Sequence, residues 1–310
     1  GLLGPGDVAT PTAGYSLRPL SVSYSGAVVR VRRSGDNEEK DFNSTSITNG
    51  TLDDFLITLG TDDHSKEILS DFEDIPDFSL LCACNVGRAN ELDAVDEFND
   101  TDGFVSKWYD QFGSYDATNS TADEQPKIWD ASTGLVTENG KPAVEFDGVD
   151  DTLLTLYTTS GSLSIFYVSK ITDNSEDRTV ISSYLDGNNR HFLFWYDRVT
   201  DDNLYRNDIF APSTAFERLD VASYDGNQNL ISHLATIDFQ TFVKNGVVTT
   251  QNYSLTQLGV GTGYYLTLGS QESTSKFFAG PIQEIIFYDS DQSANRTKIE
   301  DNINDYYDIY

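Results

Sequence analysis

The chain has 310 residues, with 50 acidic against 20 basic side chains and a net charge of −30, a field that sets it against phosphate backbones and so against nucleic acid. Hydrophobic residues at 38% and aromatics at 12% supply a full apolar core, which excludes a disordered chain. Apolar runs such as Ser164-Ile165-Phe166-Tyr167-Val168 are strand-length, far short of the ~20 residues a bilayer helix needs, so the expectation is a soluble chain without membrane insertion.

No secretory signal is legible, and a start at Gly1 reads as processed or cut from a longer chain. Residues 1–14, rich in Gly, Pro, Ala and Thr, read as a lead-in or linker to a single domain over 15–310. Residues 28–33 alternate apolar and basic side chains, the period of a half-buried strand, and Ser34-Gly35-Asp36-Asn37 is turn chemistry. Residues 43–77 are polar and acidic with short apolar pieces such as Phe55-Leu56-Ile57-Thr58-Leu59, and 77–98 read as a helix. Cys82 and Cys84 are too close for an ordinary disulfide and sit in an apolar run, so they read as buried free thiols. Residues 104–109 return to strand and 111–125 to loop.

From about Pro142 the pattern becomes a meander of short strands. The shift fits a subdomain boundary near 141, and equally one sandwich drawing strands from both halves. Residues 143–146 end in the turn Asp147-Gly148, followed by apolar runs at 163–170, 179–184, 191–196 and 230–237. Asn245-Gly246 ties 241–244 to 247–249 as a hairpin, and runs at 264–269 and 280–288 complete the set. Such spacing predicts a sandwich. Ile299, Ile303 and Tyr306 share a helical face, which predicts a closing helix within 290–306.

Several stretches carry a resemblance. Tyr15-Ser16-Leu17-Arg18, Ser23-Tyr24-Ser25-Gly26, the run from Arg30 to Asn37 and Trp108-Tyr109-Asp110-Gln111-Phe112-Gly113 resemble the N-terminal half of arabinofuranosidase B-type catalytic domains. They resemble still more the domains of phage tail fibres and marine bacterial surface proteins. Phe146-Asp147-Gly148-Val149-Asp150-Asp151 is similar to the opening strand of laminin G-like, concanavalin A-like sandwiches. The run from Gly280 to Tyr288, with Asp291 to Arg296 after it, is similar to their closing strand and helix. The resemblance implies an all-β, concanavalin A-like jelly-roll sandwich with a few short helices, one of them C-terminal. It also implies an extracellular place on a virion fibre or cell surface, beside other surface proteins and as a homo-oligomer, with a glycan or receptor as partner.

Function is then weighed three ways: a non-catalytic carbohydrate- or receptor-binding domain, a retaining arabinofuranosidase, or a ligand-free decoration domain. Retention needs two carboxyl groups ~5–5.5 Å apart. The family's carboxylates fall near Asp197 and Glu272, without its local pattern around either and without its adjacent cysteine pair. His64, His191 and His233 lack metal-site spacing, no Gly-x-Ser-x-Gly elbow occurs, and the glycines at 259–263 precede a strand, so they read as a loop.

For sugar binding the aromatic run 191–198 places His191, Leu193 and Trp195 on one face of a strand and Phe192, Phe194 and Tyr196 on the other. Tyr205-Arg206-Asn207 reads as a polar surface loop beside it, so Trp195, Asp197, Tyr205, Arg206 and Asn207 are the candidate ligand-binding residues. Asp147, Asp150 and Asp151 cluster beside a glycine and could share a calcium ion. Asn43, Asn49, Asn99, Asn119, Asn252 and Asn295 head N-x-S/T sequons.

Overall fold

The computed structural model describes residues 4–59, 98–157, 161–186, 189–197, 204–210, 216–255, 258 and 265–310. Two antiparallel layers face each other. One runs strand beside strand through Val247–Asn252, Phe239–Lys244, Asn229–Ala235, Leu163–Ser169 and Ala279–Tyr288. The far edge of Ala279–Tyr288 is shared by Ala13–Ser16 and Val144–Asp147. The second layer runs through Phe216–Ser223, Leu204–Phe210, Asn189–Asp197, Arg178–Asp186, Tyr265–Leu268 and Leu153–Thr155. It continues through Ala117–Thr118, Gly103–Trp108, Val29–Arg33 and Glu39–Phe42. Lys127–Asp130 bonds to Gly103–Trp108 and to Val144–Asp147, joining the layers along one side. The all-β sandwich expected from the strand spacing is the observed fold.

Ile165, Tyr167, Ile285 and Phe287 of the first layer share one core with Ile181, Phe192, Phe194, Tyr196 and Leu266 of the second. The alternate residues Phe166, Val168, Leu230, Ile286 and Tyr288 pack outward against Ile299, Ile303 and Tyr307 of the helix Arg296–Tyr307. Burial on both faces explains why Leu163–Ser169 and Ala279–Tyr288 read as continuous runs without alternation. Tyr307, four residues beyond Ile303, is the fully buried end of the helix face; Tyr306, expected there, packs partly buried against the same cluster and lies under the Arg18 guanidinium, which is 4.5 Å from its ring centre.

Other expectations change. Residues 4–14 are not a linker: Pro5 and Ala13 are buried, and Ala13–Ser16 pairs with Ala279–Tyr288. Across the subdomain boundary weighed near 141, strands from the two sides hydrogen-bond together, Glu145 opposite Lys127 and Leu154 opposite Thr118. The 111–125 loop contains the short strand Ala117–Thr118. The helix expected at 77–98, with Cys82 and Cys84, lies outside the described residues except for Phe98, which opens a strand paired with Ile57–Leu59.

The motifs that carried the resemblance are fold staples. Asp110 Oδ1 accepts from the amides of Gly14 (2.9 Å) and Phe112 (3.0 Å). Gln111 accepts from Leu20 N at 2.8 Å and donates to the carbonyls of Ser16 and Arg18. Arg18 forms a two-pronged ion pair with the fully buried Glu284, at 2.7 and 2.9 Å, and Ser16 and Tyr307 hydroxyls also donate to Glu284. These contacts tie the N-terminal strand to the closing strand and helix.

The Asn245-Gly246 hairpin forms as read. Both residues have positive φ (49° and 77°), the geometry of a type I′ turn. Asn245 Oδ1 accepts from Leu230 N, so Asn245→Ala removes a residue suited to that backbone and a hydrogen bond at once. A loss of about 1–2 kcal/mol in urea unfolding is expected; an unchanged midpoint would contradict it.

Candidate functional site

Residues directly opposite in an antiparallel sheet share a face. On the outer face of the second layer the register therefore builds one continuous row: Arg218, Asp208, Leu193, Ser182, Thr267, Leu154, Thr118, Lys107, Arg30 and Asp41. Apart from two leucines the row is polar. A parallel row beside it holds Asp220, Arg206, Trp195 and Thr179.

A groove of about 450 Å³ opens over the Arg30 end of the row, lined among others by Arg30, Lys107, Thr118, Asn119, Leu154 and Ser273. Its cations are held by neighbours. Arg30 grips Asp41 at 2.7 and 3.0 Å, while the Tyr109 hydroxyl donates to the same carboxylate. Lys107 Nζ lies 3.3 Å from Asp116. The Asn119 amide donates to the carbonyls of Glu124 and Thr152, which fixes the groove's floor. The Glu39 and Glu124 side chains complete the lining. Sequence reasoning passed over this groove; its one local signal was the apolar-basic alternation around Arg30.

The residues expected to bind ligand are placed differently. Leu204–Phe210 is a strand, not a loop, because its polar side chains are satisfied across the ladder: Arg206 pairs with Asp220 and Asp208 with Arg218, each at 2.7 Å. Tyr205 points into the core beside Tyr196 and Phe242, and burial pushes its hydroxyl well above the ordinary range. Trp195 is on the outer face, yet only 8% exposed. Asp197 and Asn207 stand opposite Leu204 and Leu219, and their side chains lie outside the described residues.

What covers Trp195 is a turn. The Lys276 ammonium sits 3.7 Å from the indole centre, with the Arg206 and Arg218 guanidinium groups at 5.7 and 5.6 Å. Glu272, expected as a catalytic carboxylate if the chain is a hydrolase, belongs to this turn, half-buried at φ 59°, next to the groove-lining Ser273. Its amide donates to Ser182 Oγ at 3.2 Å.

The Asp147, Asp150 and Asp151 carboxylates offer oxygens within 4.8 Å of one another. Asp147 Oδ1 accepts from Val149 N and Asp151 Oδ2 from Asp147 N, so the cluster also folds the turn at Gly148. Burial, with the Asp147 charge beside it, pushes the Asp151 carboxyl up to about 7. Hard oxygen donors so gathered have the chemistry of a calcium ligand set. His233 is a core residue, held neutral by burial at about 4; His64 lies outside the described residues.

No family model matches the sequence, and no curated protein matches it. Among solved structures, a GH54 α-L-arabinofuranosidase soaked with a cyclic sulfate inhibitor superposes with a TM-score of 0.63 at 14% identity, covering 97% of this chain and 65% of that one. An arabinofuranosidase complexed with arabinofuranosyl-α-1,2-xylobiose gives 0.61 at 15% identity, covering 97% and 64%. The chain thus spans a little under two thirds of the length of either. At that identity the shared property is the fold: the chain has the sandwich architecture of these arabinofuranosidases, and its outer face carries a groove lined by polar and charged side chains.

Proposed function

We propose that the chain is a non-catalytic saccharide-binding sandwich that takes a glycan in the outer-face groove. The observation that carries this is the groove's lining, which mixes hydroxyls, an amide and ion-paired side chains over an aliphatic patch at Leu154. A sugar presents hydroxyls that both donate and accept, together with apolar C–H faces, and such a mixture meets both needs. Because Arg30 and Lys107 already have carboxylate partners, the site favours a neutral glycan over a polyanion. Display on a virion fibre or cell surface belongs to the same proposal.

A glycan array tests the reading. Thr118 is exposed on its strand, so Thr118→Trp fills the groove without disturbing the core. Hits should weaken about tenfold or more in that variant and in Lys107→Ala, a loss of about 1.4 kcal/mol or more. A blank array, or hits indifferent to both changes, would sink it. The second reading, a retaining arabinofuranosidase, draws on the shared fold and on Glu272 standing beside Ser273. It requires turnover of a chromogenic arabinofuranoside that Glu272→Gln abolishes.

A further inference from the structure

The turn over Trp195 is built unlike a simple connection. Gln271 and Ser275 close it as a bridge, and Glu272, Ser273 and Lys276 all stand at positive φ (59°, 55° and 50°), backbone that L-residues adopt at a cost. It is held down largely by polar contacts. Lys276 Nζ pairs with Asp177 at 3.1 Å and caps the indole, the Lys276 carbonyl accepts from Thr179 N at 2.8 Å, and Glu272 N donates to Ser182. Beneath and within it, Trp195 Nε1, Thr179 Oγ1 and Gln271 Oε1 are buried without a hydrogen-bond partner among the described residues. Thr179 is fully buried and Trp195 92% so. Unmet buried polar atoms are rare because each carries a desolvation cost, and three at one turn mark a surface shaped for something else.

We propose that Gln271–Lys276 is a strap that closes a second saccharide subsite, continuous with the groove through Ser273. When the strap lifts, the Lys276 ammonium leaves the indole face and a sugar ring stacks there. The ring's hydroxyls then meet the unpartnered groups of Trp195 and Thr179. The subsite rests on the saccharide reading of the groove; the strap does not. While the strap is down the subsite is unavailable, so observed affinity is reduced by the fraction of molecules that are open.

The test uses the full chain in a Trp129→Phe background, where Trp108 is fully buried and Trp195 is the remaining reporter. Lys276→Gln removes the charge at similar length, and Asp177→Asn removes the carboxylate that holds the Lys276 ammonium. Acrylamide quenching should rise about twofold or more in both, and the rise should vanish when Trp195→Phe is added. Unchanged quenching in both overturns the strap without any ligand being needed. With a glycan found on the array, the released variants should bind roughly three- to tenfold tighter and Trp195→Ala should cancel the gain. Raised quenching with unchanged affinity overturns the subsite. If neither wild type nor released variants bind any glycan, the saccharide reading fails with the subsite, and quenching alone decides the strap.

Discussion

Arg18→Met should lower the stability of the folded chain by about 3–5 kcal/mol, measured by urea unfolding followed through tryptophan emission. Glu284 is fully buried in the closing strand, and the guanidinium of Arg18 neutralises it with two hydrogen bonds. Removing the cation leaves a carboxylate in the core with, among the described residues, only the Ser16 and Tyr307 hydroxyls to solvate it. The pair itself does not have to be strongly stabilising for this to hold, because the cost lies in the charge left behind. Arg18→Met combined with Glu284→Gln should therefore recover most of the loss, since the amide still accepts those hydroxyls. A single variant that loses under about 1 kcal/mol, or a double variant no better than the single, would contradict the account.

The second large effect is at Asp151, and it depends on pH. Its folded carboxyl titrates at about 7, raised by burial and then by Asp147, whereas an unfolded aspartate titrates near ~4. A raised folded value means that the proton contributes stability present in full below pH ~4 and lost as pH rises through 7. Asp151→Asn, whose amide oxygen still accepts from Asp147 N, should accordingly be more stable than wild type at pH 8 by on the order of 2–4 kcal/mol. The two should converge below pH ~4. Parallel curves across that range would show that Asp151 is not the group. The calcium expected from the Asp147, Asp150 and Asp151 spacing is tested in the same scan. Millimolar calcium at pH 8 should restore wild type, by about 2.7 kcal/mol at a hundred times its dissociation constant, and leave Asp151→Asn unmoved. Equal shifts in both proteins, or none, would reduce the cluster to a turn.

Local chemistry was readable residue by residue. Apolar runs at 163–170 and 280–288 announced strands because both faces of Leu163–Ser169 and Ala279–Tyr288 are buried. Asn245-Gly246 announced a hairpin because few other residues tolerate the positive φ it needs. The two faces of the aromatic strand were also separated correctly, Phe192, Phe194 and Tyr196 on one and Trp195 on the other, and the fold decided which of them is inward. The same rules misread 205–207 as a loop, since polarity along a strand is informative only when the partner strand is known. Arg206 and Asp208 find their counter-charges on Phe216–Ser223.

The sequence by itself thus determined the sandwich, its hairpin and its closing helix, all set by periods and backbone preferences that act over a few residues. The functional face was decided elsewhere. Arg30, Lys107, Thr118 and Leu154 become neighbours only when the strands pair in register. Trp195 is hidden by a turn that joins it only in the folded chain. Both are long-range contacts, whose entropy cost is met only when the whole core forms, so no local pattern records them.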